Sequence, residues 1–350
     1  MLAGVPSLPD PRRLPGRRAR SVSSAGRSPA SSSRVSPSRP TAAVVRPRII
    51  VVGDLVLDVV LVPDRDLERG TDVTGGVRLR QGGSASTTAR WLGRLGAKTT
   101  LVCAVGRDAT GRSLVTAVAS DGVTVRAVRV AGARTGRIGV LVEPGGERSF
   151  VTERGAALRL RPEDLRAAWF AGADAVHLPA YSLLDQPLGL AGMAAARLAR
   201  AAGALVTVDL SSSAPLLASG RRAALRLIEE VAPDLLFATR DEAKALVGSK
   251  DETRLARLAP VVVVKRGRKG VTVLVREGDE ALRFEVATSP VKATDTTGAG
   301  DAFDAGFLAG WLEARRRGLA PRAALQRGAV LGNRTALRQI STAPAELSLG

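Results

Sequence analysis

The sequence predicts an α/β protein with a mostly parallel central sheet, helices packed on it, and a small antiparallel β-lid. Three observations carry this. From residue 162 onward, short runs rich in β-branched residues alternate with helical patterns, as parallel strands joined by crossover helices do. Residues 123–153 break that rhythm. They alternate apolar and polar through Val123–Val130, Gly136–Val142 and Arg148–Thr152 around Pro144-Gly145-Gly146, the pattern of antiparallel strands joined by a tight turn. Finally, Asp295-Thr296-Thr297-Gly298-Ala299-Gly300-Asp301-Ala302-Phe303 separates a strand-like run, Ala281–Val291, from a long helical pattern. Glycines there let the backbone turn tightly into a helix.

In chain order, residues 1–47 are a Ser-, Pro- and Arg-rich extension. Residues 1–48 hold ten arginines against one acid, Asp10, which is nearly half of the net charge of +19. Such a segment buries too little apolar surface to order itself. A start codon read too early gives the same tail. It has no apolar core of a secretory signal; its Arg- and Ser-rich, acid-poor composition also suits a transit peptide. Arg48–Gly53 reads as the first buried strand, and Asp58 follows it. A carboxylate past a strand's C-terminal end suits ligand binding; a solvated turn residue would look the same. Gly82-Gly83 opens a helix that closes at Gly96, with Ser84 or Ser86 as its cap. Strand Thr99–Val105 and a second helix after Gly111 come next. Arg154 meets either a substrate anion or solvent. Pro162, Glu163 and Asp164 mark a helix start.

Strands are then expected at Asp174–Leu178, Ala204–Asp209, Asp234–Phe237 and Val261–Lys265, and helices at Pro187–Ala202 and Arg221–Val231, with another beginning near Asp241. Asp209 falls on the rim where ligands bind. Val271–Val275 and Leu282–Val286 form a hairpin, and helices Phe303–Arg316 and Arg322–Leu337 close the chain.

The chemistry concentrates at Gly298–Asp301. Free N–H groups at a helix start, with the helix's partial positive charge, suit a phosphate oxygen or a developing anion. Asp301, in the first turn, faces the same spot as a carboxylate. An anion cradle beside a general base is what phosphoryl transfer to a hydroxyl requires.

The stretch from Asp295 to Phe303 resembles the C-terminal motif D-T-x-G-A-G-D-x-F of the PfkB (ribokinase-like) carbohydrate kinases. The block from Gly82 to Gly111 resembles their N-terminal motif, G-G-x-x-x-N followed by R-L-G and V-G-x-D-x-x-G. The resemblance covers residues 48–345. It implies a ribokinase-like three-layer α/β/α domain whose β-lid comes from about 60–80 and 123–155, often the dimer contact. By position, it implies sugar contacts from Asp58, Gly82, Gly83 and Thr87, with Thr87 standing where Asn is usual. Glu242 matches the Glu of N-x-x-E, which helps hold Mg²⁺ through water, while Thr239 replaces its Asn. Val264-Lys265-Arg266-Gly267-Arg268-Lys269-Gly270 resembles V-K-x-G-x-x-G, which borders the ATP phosphates through Lys265, Gly267 and Gly270. Asn333 lies near the adenine pocket. Asp295 and the backbone at Thr297 correspond to a monovalent-cation site, implying K⁺ activation. The implied reaction moves the γ-phosphoryl of ATP to a sugar hydroxyl, a primary CH₂OH. Asp301 is the base, and the N–H groups of Gly298, Ala299 and Gly300 are the anion hole.

Composition narrows the field. One cysteine, Cys103, rules out an intramolecular disulfide and a cysteine metal cluster and fits a reducing cytoplasm. One histidine, His177, cannot build a multi-histidine site. No run reaches the roughly 18 apolar residues of a membrane span. The sequence leaves ribose-like, fructose-like and sugar-acid substrates open, the last through Arg154, and disfavours nucleosides, because aromatics make up only 3% and few could stack a base. A dinucleotide oxidoreductase would need G-x-G-x-x-G after the first strand, where Gly53-Asp54-Leu55-Val56-Leu57-Asp58 stands. A non-catalytic sugar- or nucleotide-binding protein of the same fold stays open through the two threonines, although it would not need Asp301 or its glycines. Nucleic acid is not an expected partner, because only the basic tail points to it.

Overall fold

The protein is described by a computed structural model covering residues 46–143, 147–278, 280–289, 291, 295–342 and 345–348. The expected disordered extension lies outside the described residues except for Arg46 and Pro47, and so does the turn Pro144-Gly145-Gly146.

The first half of the domain runs β1 (Arg48–Val52), β2 (Val56–Pro63), β3 (Gly75–Gly82), α1 (Ser84–Arg94), β4 (Lys98–Gly106), α2 (Ala109–Ala119), β5 (Val123–Val130), β6 (Thr135–Val142) and β7 (Arg148–Gly155). Next come the short helix α3 (Ala167–Phe170), β8 (Ala175–Pro179), α4 (Tyr181–Leu184), α5 (Leu188–Ala201), β9 (Leu205–Asp209) and α6 (Ser213–Leu216). The chain continues as α7 (Arg221–Val231), β10 (Leu235–Thr239), α8 (Arg240–Val247), β11 (Val261–Lys265) and the hairpin β12 (Val271–Glu277) and β13 (Glu280–Val286). Helices α9 (Ala299–Arg316) and α10 (Pro321–Ser341) pack on each other at the end.

The central sheet has the order β13-β12-β11-β10-β9-β8-β1-β4-β5. From β11 to β5 every neighbouring pair is parallel, and the β12–β13 hairpin adds an antiparallel edge. Parallel strands buried on both faces read as unbroken apolar runs, and β1 shows why. Ile49 and Val51 enter the core beneath α1, α2, α9 and α10, while Ile50 and Val52 enter the core beneath α5, α7 and α8. These two cores make the α/β/α layering. The strand order reverses between β1 and β8, and the crevice outside the carboxyl ends there is where such sheets bind ligands.

A second sheet, β3-β2-β6-β7, is the lid. Its outer pairs are antiparallel, while β2 and β6 run parallel at its centre. The expected lid boundaries need one correction. Val123–Val130 is not a lid strand; it is β5, the edge strand of the central sheet, parallel to β4 through Val125↔Leu101 and Ala127↔Cys103. A half-exposed edge strand alternates apolar and polar as a lid strand does, so the pattern alone does not separate them. The Gly106–Gly111 motif joins the two sheets. Asp108 caps α2 through the Gly111 N–H (2.8 Å) and accepts from Thr135 at the start of β6 (N 2.8 Å, Oγ1 2.6 Å). The helix expected at Pro162 is only a single 3₁₀ turn, Pro162–Asp164, and the chain turns helical again only in the short α3, Ala167–Phe170.

Candidate active site

The carboxyl ends of β9 and β11 meet the first turns of α9 through Lys265, which reaches Asp209 and Asp304. Gly298 precedes α9 with φ 71°, a left-handed conformation that favours glycine. A Cβ there would stand 3.2 Å from both the Thr87 methyl and Gln339 Nε2. Asp301 follows one turn later, and Ser84 donates its hydroxyl to Oδ1 at 2.5 Å. Burial pushes the Asp301 carboxyl up to about 7, against the Ser84 hydrogen bond and with help from the negative charge of Asp209. A carboxyl poised near neutrality is suited to accept a proton.

The Gly82-Gly83 turn owes its glycines to two aspartates. A Cβ on Gly82 would lie 1.9 Å from Asp58 Oδ1, and one on Gly83 would lie 2.7 Å from the Asp54 carbonyl oxygen. Asp54, buried just past β1, accepts from the Ala85 N–H at 3.2 Å and so orients the start of α1. Burial, then repulsion from Asp54, raises the Asp58 carboxyl to about 7 against the pull of Arg80. Asp58 and Thr87 line one cavity of about 350 Å³ with Arg80, Gln81, Asp295 and Gly298, near the lower end of the range for small-molecule sites. The cavity therefore brings Asp58 and Thr87 together with Asp295, Thr297 and Gly298, while Gly82, Gly83, Ala299, Gly300 and Asp301 are not among its lining residues. Arg154 is spent differently: it donates to Asp54 Oδ2 at 3.3 Å and stacks over the Tyr181 ring at 4.4 Å. Its charge already has a carboxylate partner, so it is not a free anion receptor.

On the other side of Asp301 lies a buried charge cluster. Lys265, at the end of β11, donates to Asp209 Oδ1 at 2.8 Å and to both Asp304 oxygens at 3.2 Å. Burial opposes the Lys265 charge, but Asp209, Asp304 and Glu242 outweigh it and hold the ammonium protonated. Lys265 Nζ lies 3.4 Å from where a Gly300 Cβ would be, so a fixed cation borders the first turn of α9. Thr239 caps α8 in a reciprocal box: the Glu242 N–H donates to Thr239 Oγ1 at 3.3 Å, and Glu242 Oε2 accepts from the Thr239 N–H at 2.7 Å. Threonine caps nearly as well as asparagine, so the departure at 239 keeps the local structure. Burial, then the charge of Asp209, raises the Glu242 carboxyl. Gly267 and Gly270 form the β11–β12 turn with φ 55° and 80°. Asn333 spends its amide on the carbonyls of Val286 (3.4 Å) and Ala287 (3.1 Å), anchoring the end of β13.

The residues at the implied monovalent-cation position do not fit a free ion. Asp295 accepts from Arg148 Nη1 at 3.0 Å, Arg80 Nη1 at 3.2 Å and the Thr297 N–H at 2.9 Å. The Thr297 carbonyl accepts from Gln339 Nε2 at 2.9 Å. Although burial opposes ionisation, the Thr297 hydrogen bonds and the two guanidiniums hold the Asp295 carboxyl below the usual range. A further unit cation about 4 Å from a guanidinium meets a repulsion of about 4 kcal/mol at an effective dielectric near 20. Among the described residues no group of three or more His, Cys, Asp or Glu side chains is arranged to hold a metal ion.

Asp54, Arg80, Arg148, Asp304 and Gln339 went unseen as site residues in the sequence reading. Only Asp304 carried a local signal. It is the sole charged side chain between Ala302 and Leu312 in an otherwise apolar helical run, and a buried charge demands a partner.

The model of the pfkB family carbohydrate kinases matches residues 46–346. A fructokinase of Klebsiella pneumoniae is 33% identical over 278 residues, spanning 75% of this chain and 84% of that one. The crystal structure of adenosine kinase from Sinorhizobium meliloti superposes with a TM-score of 0.74 at 27% identity, covering 87% of this chain and 97% of that one. A fructokinase from Vibrio cholerae O395 in its fructose-, ADP- and calcium-bound form shares the fold, with a TM-score of 0.71, 22% identity and coverage of 87% and 96%. The glycine-framed helix start with Asp301, the ribokinase-like double sheet and the match over nearly the whole described chain place this protein in the pfkB family of carbohydrate kinases.

Proposed function

We propose that this kinase transfers the γ-phosphoryl of Mg-ATP to the primary hydroxyl of a free sugar, with fructose the first candidate. The observation that carries the reading is Asp301, poised near neutrality at the mouth of the Gly298–Gly300 turn. Fructose is favoured because the curated relative at 33% identity is a fructokinase. Asp58 and Thr87 face the cavity and bind sugar hydroxyls. Asp301 takes the proton from the attacking hydroxyl. The N–H groups of Gly298, Ala299 and Gly300 hold the charge that builds during transfer, a role in which one donor is typically worth about 10²–10³ in rate. Lys265, beside Gly300, adds a fixed positive field.

Mg-ATP, when bound, supplies the phosphoryl group and neutralises its charge. Glu242 suits the metal: its carboxyl is crowded by Asp209, and Mg²⁺ takes few protein carboxylates while keeping its water. Thr239, Gly267, Gly270 and Asn333 frame the nucleotide side through the backbone they fix.

Two further readings belong here. Leu61, Val77 and Val151, 38%, 65% and 80% exposed, share one lid face by register, which supports a lid-mediated homodimer that sedimentation velocity reads directly. A cytoplasmic location is favoured by the single cysteine, fully buried and unpaired. Among the described residues no helix is long and apolar enough to cross a membrane.

The test is ADP release and product identification with Mg-ATP against fructose, ribose, sugar acids and nucleosides. Phosphorylation of fructose with a clear preference is expected. Turnover of a nucleoside alone would overturn the substrate, and sugar binding without turnover would overturn the catalytic reading in favour of a binding protein.

A further inference from the structure

The resemblance implies a free cation beside the anion-hole loop, and the loop's own partners exclude one. We propose that Arg148, a lid residue, is the built-in cation of this loop, so that phosphoryl transfer here does not depend on K⁺. This rests on the kinase reading above.

The three residues before Gly298 are Asp295, Thr296 and Thr297, and Arg148 binds all of them. Nη1 meets Asp295 Oδ1 at 3.0 Å and also the Thr297 hydroxyl, and Nη2 meets the Thr296 hydroxyl at 2.7 Å. Arg80 on β3 reaches the second Asp295 oxygen, and Gln339 holds the Thr297 carbonyl from α10. The oxygens that a monovalent ion would collect are thus already taken by donors. A guanidinium is permanently charged and planar with five N–H groups, so one side chain satisfies several oxygens at once. An isolated exposed ion pair would mean little. Arg148 is only 21% exposed, and its contacts converge on consecutive residues leading into the catalytic turn.

Tethering changes the chemistry. A free ion occupies its site according to its concentration. Arg148 sits at the start of β7, so its charge arrives with the lid strand. Lid position and loop order are therefore one event. Arg148 acts through Asp295, Thr296 and Thr297 on the Gly298–Gly300 donors, which makes it a positioning residue.

The test compares the full chain with Arg148→Met and Arg148→Lys in KCl and in tetramethylammonium chloride at equal ionic strength. Turnover and thermal melting are both read. The wild type is expected to give the same kcat and melting point in both salts. In tetramethylammonium, Arg148→Met should lose about tenfold or more in kcat, as misplacement of reacting groups does, with a smaller change in KM. KCl should restore most of that loss and raise its melting point, and Arg148→Lys should retain most activity without K⁺. Activation of the wild type by K⁺, or an Arg148→Met protein that K⁺ neither reactivates nor stabilises, overturns the proposal. If no protein phosphorylates any sugar, the kinase reading has failed, and the melting comparison alone decides the role of Arg148. Stabilisation of Arg148→Met by K⁺ then supports it, and no stabilisation overturns it.

Discussion

Lys265→Met is expected to destabilise the fold by about 3–5 kcal/mol, the cost of leaving a buried ion pair without one partner. Lys265 is 10% exposed, and its partners Asp209 and Asp304 are 4% and 0% exposed. Nothing else among the described contacts donates to Asp304. The loss should depend on pH in a definite direction. Burial and the nearby Asp209 already hold the Asp304 carboxyl well above its usual range, with Lys265 opposing them. Without the lysine, the folded state binds protons more readily than the unfolded chain. The deficit is then full at alkaline pH and shrinks as pH falls. Denaturant unfolding at about pH 8 and pH 5 reads this, and adding Asp304→Leu to the variant should recover part of the stability. An equal deficit at both pH values would mean that packing, not charge, was lost.

Asp301→Asn should lower kcat by roughly 10²–10⁴, the usual contribution of a positioned base, while raising stability at pH 8. The second effect follows from the same carboxyl. Its unfolded value is 3.8 and its folded value about 7. Folding therefore carries a cost that is absent below 3.8 and complete above about 7. Asparagine carries no such cost. The variant should melt above the wild type at alkaline pH, with the gap closing toward pH 4. A variant that is inactive and also less stable at every pH would point to a structural role for Asp301.

The parallel sheet was legible because most of its strands are buried on both faces and written as short, mostly apolar runs such as Arg48–Val52 and Val261–Lys265. The lid was only partly legible. Val123–Val130 carries the alternation of a lid strand, and its true partner, β4, is fixed by pairing across the sheet rather than by its own pattern. The glycine turn and Asp301 stand in nine consecutive residues, so local chemistry revealed them. Arg148 and Asp295 are 147 residues apart, and Trp91 and Gln339 are 248 apart. No local pattern announces such a pair. The two Asn→Thr departures had different weights. At 239 the hydroxyl preserves the helix cap, whereas at 87 the methyl packs toward Gly298, leaving one hydroxyl where asparagine has a donor and an acceptor group.

The most direct test of Asp301 as the base is the pH dependence of kcat/KM for the best sugar, measured from about pH 5 to 9. Below a bend near 7 the rate should fall about tenfold per unit, because the protonated carboxyl cannot accept the hydroxyl proton; above it the rate should level off. Ser84→Ala should move the bend to higher pH, because its hydroxyl stabilises the ionised form. A profile that is flat through 7, or that falls as pH rises, would contradict the account.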